Sequence, residues 1–595
     1  MPPVDLVLVV PPFASAALPI LGPSVLAASA RAAGISTGVE YASLRLACVL
    51  GLDRYRRFAL SNSRMHGEMV FREPAFDLPP SARPEDFEPI PDAVTREDFD
   101  AALDAIPAWL DAVADRIADH DPRVVGFSSV FQQTLASIAL ARAVRRRLPD
   151  AVLVLGGANA ARPMGDAIAA ATDTFDLIVS GEADLDFAPL VADLLTGGRA
   201  RGIALGPVLE VGPVTRLDDV PRPDYSDYVA AVQTDDLPDG LPIALPFESS
   251  RGCWWGERSH CTFCGLNARE IAHRDKSPAR VLDEIAGLRA QHPTVHELRA
   301  SDNILPFPVL REVLPTLAER RSADVAAGRP PLRIFYEVKA SLDRRRLELL
   351  ADAGVDAVQP GIESLSTDTL KRIAKGTTGP DNLAFLRESI GAGVSLLWNL
   401  MVGFPGDTRE DYDALLRLLP QIEHLQPPIS ISPLRIDRYS PYFRAPERYG
   451  IEAVKPPEVL GRVFPDGADL AGLAYHFDAD IRSPFRDDPV LGRRVTDAVA
   501  RWNAIWNADE GRPALRFQGE RDVLDTRRCA AATRTTLTDP ELALLRRLDR
   551  PRPWDQVEQD ADPAALARLL HRCFVVQHED KLVGVVVRPR LGHGA

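Results

Sequence analysis

The sequence predicts an α/β protein with three parts: a doubly wound parallel sheet, a partial barrel of six β/α units, and a small α+β segment. Three observations carry this. Apolar runs of strand length alternate with apolar-striped helices over residues 1–205. The alternation stops in a Pro- and Asp-rich linker, 206–240, and restarts with new strands over 241–455. From 456 to 595 it gives way to helices and a hairpin. A chain of 595 residues is long enough for such a division.

VDLVLVV (4–10) is continuously apolar, as a strand buried on both faces must be. A loop and the alanine-rich helix VLAASARAAG follow. Residues 50–100 are polar and Pro-rich and read as an insertion. A helix near 100–118, the strand RVVGFSSV, the helix TLASIALARAVRRRLP and the strands AVLVLGG and DLIVSGEAD resume the pattern. Strand–helix alternation of this kind makes a parallel sheet, and ligands bind beyond the carboxyl ends of its strands. Here those ends carry Pro11–Pro12, Ser128–Ser129, Gly156–Gly157 and Gly181–Glu182. Small residues there let a large ligand approach the backbone.

In the second run, PFESSRG, ELRASDN, RIFYEVKA, AVQPGIES and SLLWNLMVGFP are the expected strands, with a last one near ISISPLRIDRYS. SPARVLDEIAGLRAQ, DRRRLELLADAG and NLAFLRESIGAG are helices between them. In the last part, DPVLGRRVTDAVARWNAIWN is a helix with Trp502 and Trp506 on one face. The order helix, helix, hairpin at the end resembles a winged-helix unit.

The chemistry is concentrated in ESSRGCWWGERSHCTFCGLN, where Cys253, Cys261 and Cys264 have the spacing C-x7-C-x2-C. A structural zinc site or a two-iron cluster wants four protein ligands. The other cysteines, Cys48, Cys529 and Cys573, lie in distant segments. A four-iron cluster held by three thiolates keeps one iron open to a small molecule. Two other readings stand beside this one. Buried cysteines can be plain packing residues, but these sit among Gly252, Gly256 and Gly265 and polar neighbours. Zinc completed by His260 is the other, although His260 directly precedes Cys261 and both could reach one metal only with strain.

Composition excludes some partners. Lys and Arg number 69 against 84 Asp and Glu, a net charge of -15. This balance argues against nucleic acid, whose phosphates need clustered cations. No apolar stretch approaches bilayer length, and MPPVDLVLVVPPF lacks the basic start of a secretory signal. The expectation is a cytoplasmic protein without a membrane partner, in a compartment that keeps thiolates reduced.

The sequence resembles the cobalamin-dependent radical S-adenosylmethionine (SAM) enzymes, and most closely the C-methyltransferases that mature ribosomally synthesised peptides. The resemblance covers about residues 1–445. It rests on the C-x7-C-x2-C motif, RASDN, FYEVKA, GIES (361–364), NLMVGFPGDT (399–408) and PLRIDRYSPYF (433–443). It implies a [4Fe-4S] cluster on Cys253, Cys261 and Cys264, with SAM on the open iron and a 5′-deoxyadenosyl radical as its reductive product. Phe263 would lie near the adenine. Asp302, Asn303, Glu337, Glu363 and Asn399, near the carboxyl ends of barrel strands, would be SAM contacts. The N-terminal part would be a Rossmann-like cobalamin-binding domain, with Ser128, Ser129, Gly156, Gly157, Gly181 and Glu182 as contacts. None of the eleven histidines stands in a D-x-H-x-x-G motif, so the cobalamin would bind base-off without that axial ligand.

The function implied is methylation of an unactivated carbon of a precursor peptide, with flavodoxin or ferredoxin as electron donor. The alternatives are epimerisation, cyclisation or rearrangement with the same cofactors, methylation of a small-molecule natural product, and an inactive scaffold that recruits a peptide. The C-terminal unit would either pair a leader peptide with an exposed strand edge or serve as a structural cap.

Overall fold

The computed structural model describes residues 3–87, 92–197, 207–234, 241–266, 271–509 and 511–590. No helix among them is long and apolar enough to cross a membrane. The chain forms two compact units. One comprises Met1–Phe247, Ala279–Arg299 and Lys455–Phe477; the other comprises Glu248–Pro278, Ala300–Val454 and Asp478–Ala595.

The first unit is built on six parallel strands: β1 (Leu6–Val9), β2 (Thr37–Glu40), β3 (Val124–Ser128), β4 (Val152–Gly156), β5 (Leu177–Ser180) and β6 (Val208–Glu210). Their spatial order is β2-β1-β3-β4-β5-β6. Leu6 of β1 stands beside Thr37 on one side and Val124 on the other. All four residues of β1 are buried, the burden that a continuous apolar run declares in sequence. Leu6, Leu8, Val124, Val154 and Val179 share one core with Ala27, Ala30, Phe187 and Val191. The chain leaves β1 toward β2 in one direction and reaches β3 in the other. The crevice at the carboxyl ends of β1 and β3 is therefore the switch point where such sheets take ligands. The doubly wound sheet expected from the sequence is present.

One expectation needs correcting. The linker placed at 206–240 contains β6, which pairs in parallel with β5, so the sheet runs past residue 205. Its buried contribution is small, which is why composition masked it. Residues 206 and 235–240 lie outside the described residues. The polar stretch near 50–100 holds helices at Leu52–Leu60, His66–Met69 and Arg72–Phe76, with Phe58, Phe71 and Met69 fully buried.

Short strands follow: β7 (Leu245–Phe247), β8 (Ser250–Arg251), β9 (Arg274–Asp275) and β10 (Glu297–Ala300). In the second unit, β11 (Arg333–Val338), β12 (Ala357–Pro360) and β13 (Ser395–Leu396) pair in parallel, with Glu337 beside Gln359. Then come β14 (Asn399–Val402) and β15 (Ser430–Pro433), also parallel. SLLWNLMVGFP is thus two strands, not one. Its first half pairs with β12. Its second half turns to β15 and makes a single bridge at Leu400 to Glu363, whose φ is +58°.

Along β11, Ile334, Tyr336 and Val338 are buried, whereas Phe335, Glu337 and Lys339 on the other face are only partly covered. Gln359, beside Glu337 on β12, continues that face. A period of two thus separates an outer packed face from an inner open one.

The C-terminal segment is α+β. It has an antiparallel hairpin, Val575–His578 with Lys581–Gly584, and helices Asp539–Arg547, Trp554–Asp560 and Pro563–His571. Trp502 and Trp506 are buried on one face of the helix Pro489–Trp506, and the Trp502 indole donates to the Leu425 carbonyl at 2.9 Å.

Candidate active site

The three cysteines lie on a loop closed at its base by β8 and β9, with Arg251 opposite Arg274. Gly252 has φ +78°, and a Cβ there would stand 2.2 Å from the Ala272 carbonyl oxygen. Only glycine passes at that point. Cys253 then caps the short helix Trp254–Arg258, its Sγ accepting from the Gly256 amide at 3.3 Å. The Cys264 amide donates to the Cys261 carbonyl at 3.1 Å. Gly265 lies so close to the Arg438 carbonyl that a Cβ would approach it to 2.2 Å. The three thiols are near enough for Cys261 and Cys264 each to feel the charge of Cys253.

Burial pushes the Cys261 thiol up and the Cys264 thiol to about 12, while the Lys375 ammonium pulls both down. A metal bound there would take the thiolate form and release the protons. Among the described residues no three His, Cys, Asp or Glu side chains converge on a single-ion position. The zinc arrangement with His260 is not formed among the described residues, where His260 Nε2 lies 2.9 Å from the Cys264 carbonyl. A cluster asks for one thiolate per iron rather than four ligands at one point. The triad on its glycine-shaped loop fits that demand.

The cysteine loop is held from behind by Asp302. Its carboxylate accepts from the Ser249 amide at 2.8 Å, from the Ser250 hydroxyl at 2.9 Å and from the Ser249 hydroxyl. It is 1% exposed, and burial raises its pKa to about 7 despite these donors. Both oxygens are occupied, so Asp302 positions the loop. Its neighbour Asn303 is half-buried.

Facing the cysteines is a charged pair, of which the sequence reading singled out Glu363 but not Lys375. Lys375 Nζ donates to Glu363 Oε1 at 2.8 Å. Burial opposes its charge, but Glu363 and the cysteine thiolates outweigh burial and raise its pKa. Lys339 Nζ lies 3.5 Å from the centre of the Trp255 ring and donates to the Lys375 carbonyl at 2.7 Å. Burial, then Lys375, lowers it to about 8. Trp255 also donates to the Ala374 carbonyl at 3.1 Å. Gly376, with φ +70°, is fixed by this indole, since a Cβ would come within 2.1 Å of it.

Phe263 sits 6.1 Å from Phe404, with Lys375 Nζ 5.8 Å from its ring centre. Burial, then the charge of Glu363, raises Glu337 to about 7. Asn399 Oδ1 accepts from Ser430 at 2.8 Å across β14 and β15. The structure therefore brings Cys261, Cys264, Glu363 and Lys375 together, with Glu337 close enough to feel the charges of Glu363 and Lys375. Lys339 was legible, since it follows Glu337 by two in FYEVKA and must share its face. Lys375, in an irregular loop, leaves no periodic signal.

In the first unit, Ser129 is fully buried. Its amide donates to the Gly156 carbonyl at 2.8 Å and its hydroxyl meets Thr134 and Asn159 at 3.1 and 3.0 Å. Ser128 stands beside Gly156 in the β3–β4 register. Gly157 has φ +102° and no room, a Cβ falling 2.6 Å from the Ser129 carbonyl; over Gly156 nothing lies within 4 Å. Gly181 is likewise closed, by the Val211 carbonyl at 2.0 Å. Glu182 accepts from the Val214 amide at 2.8 Å. Of the six residues expected to meet a ligand, Ser129, Gly157 and Gly181 shape the loops, and Gly156 borders open space.

Residues 247–419 match the Radical SAM superfamily profile. An uncharacterised methyltransferase of Pyrococcus horikoshii is 24% identical over 323 residues, 52% of this chain and 67% of its own length. The tRNA-2-methylthio-N(6)-dimethylallyladenosine synthase of Anoxybacillus flavithermus is 27% identical over 177 residues, but the match spans only 33% of its length. Among solved structures, the cobalamin-dependent SAM radical enzyme OxsB, with aqua-cobalamin bound, aligns with a TM-score of 0.55 at 12% identity. That alignment covers 95% of this chain and 70% of OxsB. The radical SAM methyltransferase TsrM from Kitasatospora setae, with cobalamin and a [4Fe-4S] cluster, aligns at 0.52 and 16% identity, covering 91% of this chain and 95% of TsrM. These likenesses are of fold. The central part of the chain is a radical SAM domain, the catalytic module of an enzyme.

Proposed function

We propose that this chain, which carries a radical SAM domain, is a cobalamin-dependent radical SAM methyltransferase that methylates a carbon of a ribosomally made peptide. The observation that carries the reading is the cysteine triad: three thiols on one glycine-shaped loop, with Lys339, Lys375 and Glu363 opposite. Cys253, Cys261 and Cys264 would hold the cluster. The two ammonium groups offset the negative charge that three thiolates bring into a half-buried site. Glu337 and Asn399 offer acceptors for hydroxyl and ammonium groups of SAM, and Asp302 keeps the loop in place. When bound, the cluster supplies the electron that cleaves SAM, and cobalamin supplies the methyl group. The open space over Gly156 at the switch point of the first unit supports a large planar cofactor there. The resemblance to peptide-maturation enzymes supports the substrate class, with flavodoxin or ferredoxin as electron source.

The deciding experiment is anaerobic reconstitution with iron, sulfide and hydroxocobalamin, followed by incubation with SAM, a reductant and a candidate precursor peptide. A gain of about 14 Da on the peptide, with 5′-deoxyadenosine formed, is the expected result. Deoxyadenosine with unchanged peptide mass would favour epimerisation. No iron uptake would favour the scaffold reading.

The two glycines after β4 should behave differently. Gly156→Val should fold like the parent, because its Cβ enters open space, yet bind hydroxocobalamin more weakly by filling that space. Gly157→Val should lose stability by roughly 1–3 kcal/mol, through strain at φ +102° and the clash with Ser129. Thermal melting and a cobalamin titration separate the two.

A further inference from the structure

The loop after β3 inverts the usual partition of side chains. Ser129, Gln132, Gln133 and Thr134 are 0, 3, 1 and 5% exposed, whereas Phe131 among them is 75% exposed. Polar side chains are normally the ones left in water. Each buried one is engaged. Gln132 accepts from the Gly67 amide at 2.9 Å and donates to the Phe58 carbonyl at 3.0 Å. Gln133 donates to the Pro11 carbonyl at 2.6 Å and accepts from the Val130 amide at 3.1 Å. Asn159 donates to the Phe131 carbonyl at 2.9 Å. The loop is therefore braced on every side while its one aromatic ring projects.

Phe131 also has φ +48°. This left-handed backbone is unusual for a bulky residue and is relieved by glycine. A sequence that keeps a phenylalanine here bears two costs, backbone strain and an apolar ring in water. Strain of this kind collects where a ligand is held. The place is the switch point between β1 and β3, and Asn159 ties this loop to the one that begins at Gly156, over which the space is open. Hydrogen-bonding groups for a small polar ligand are turned inward. What remains is a flat apolar platform, suited to the face of a large planar ring system.

We infer that Phe131 is a cofactor-binding residue whose ring packs against the face of the corrin macrocycle held by the first unit. This rests on the cobalamin reading above and adds to it a specific contact from this chain. Phe131→Gly removes the ring and also relaxes the backbone; Phe131→Leu keeps an apolar surface. Hydroxocobalamin binding is measured by spectroscopic titration of the full chain, together with the melting temperature of each cofactor-free protein. The expected result for Phe131→Gly is binding on the order of tenfold weaker than the parent, as for loss of one aromatic contact, with a melting temperature equal to or above it. Phe131→Leu should fall between the two in affinity. Phe131→Gly binding as tightly as the parent would overturn the inference. So would a melting temperature several degrees lower, which would make Phe131 a packing residue. If the parent itself takes up no hydroxocobalamin, the cobalamin reading fails, and this inference with it.

Discussion

Replacing Cys261 by alanine should reduce SAM cleavage to background, and Cys253→Ala and Cys264→Ala should do the same. On the proposed reading each thiolate would serve one iron. His260 Nε2 is engaged with the Cys264 carbonyl, and among the described residues no group of three His, Cys, Asp or Glu side chains stands ready for a single metal ion. The loop is also closely confined, since a Cβ added at Gly252 or Gly265 would fall 2.2 Å from a backbone carbonyl oxygen. Loss of one ligand should therefore cost the cluster rather than shift it. Cys48→Ala should leave cleavage intact, as should Cys529→Ala and Cys573→Ala, whose thiols face each other away from the site. Iron content, the visible absorption of the cluster and 5′-deoxyadenosine formation report the outcome. Wild-type cleavage by Cys261→Ala would refute the assignment of the triad.

Deleting the chain from Thr536 onward should give an insoluble or cluster-free protein. The segment supplies partners to buried polar groups of the barrel helices. Arg387, 3% exposed, donates to the Asp549 carbonyl at 2.5 Å and to those of Gly584 and Leu548. His424 is bonded to the Val585 carbonyl at 2.8 Å, and His578 to the Leu365 carbonyl at 2.6 Å. Leu582, Val583 and Val585 are fully buried, so the VGVVV run is core rather than free edge. Removing it would strip Arg387 of its carbonyl acceptors, leaving only Glu388, leave the His424 imidazole without its carbonyl partner, and expose an apolar face. The single change Arg387→Ala should cost roughly 3 kcal/mol, through the carbonyls left unpaired, read from the shift in denaturant midpoint. These contacts support the cap over leader recognition. A soluble truncation that keeps its iron and loses only peptide affinity would reverse that preference.

Legibility from sequence followed the range of the interactions. The apolar run of β1 and the runs of β3, β4 and β5 announce a parallel sheet because burial on both faces leaves no room for polar residues. β6 escaped because a three-residue edge strand with one buried residue has no periodicity to read. The C-x7-C-x2-C spacing is local, so the three cysteines stood out as candidates whatever the fold. Asp302 was legible as a strand-end acid, but its role was not. That its oxygens are taken by Ser249 and Ser250, over fifty residues away, depends on how the two segments fold together.

The amino-acid order alone thus establishes the three-cysteine motif, the alternation of strands and helices, and the face of FYEVKA that carries Glu337 and Lys339. These follow from spacing and from a period of two, which act within a few residues. Only the folded chain decides that Lys375 and Glu363 pair opposite the cysteines, that the C-terminal hairpin closes over buried Arg387, and that Phe131 projects from a loop of buried glutamines. Each of these joins segments far apart in sequence. Burial, desolvation and hydrogen-bond satisfaction are properties of that assembly, and no local pattern encodes them.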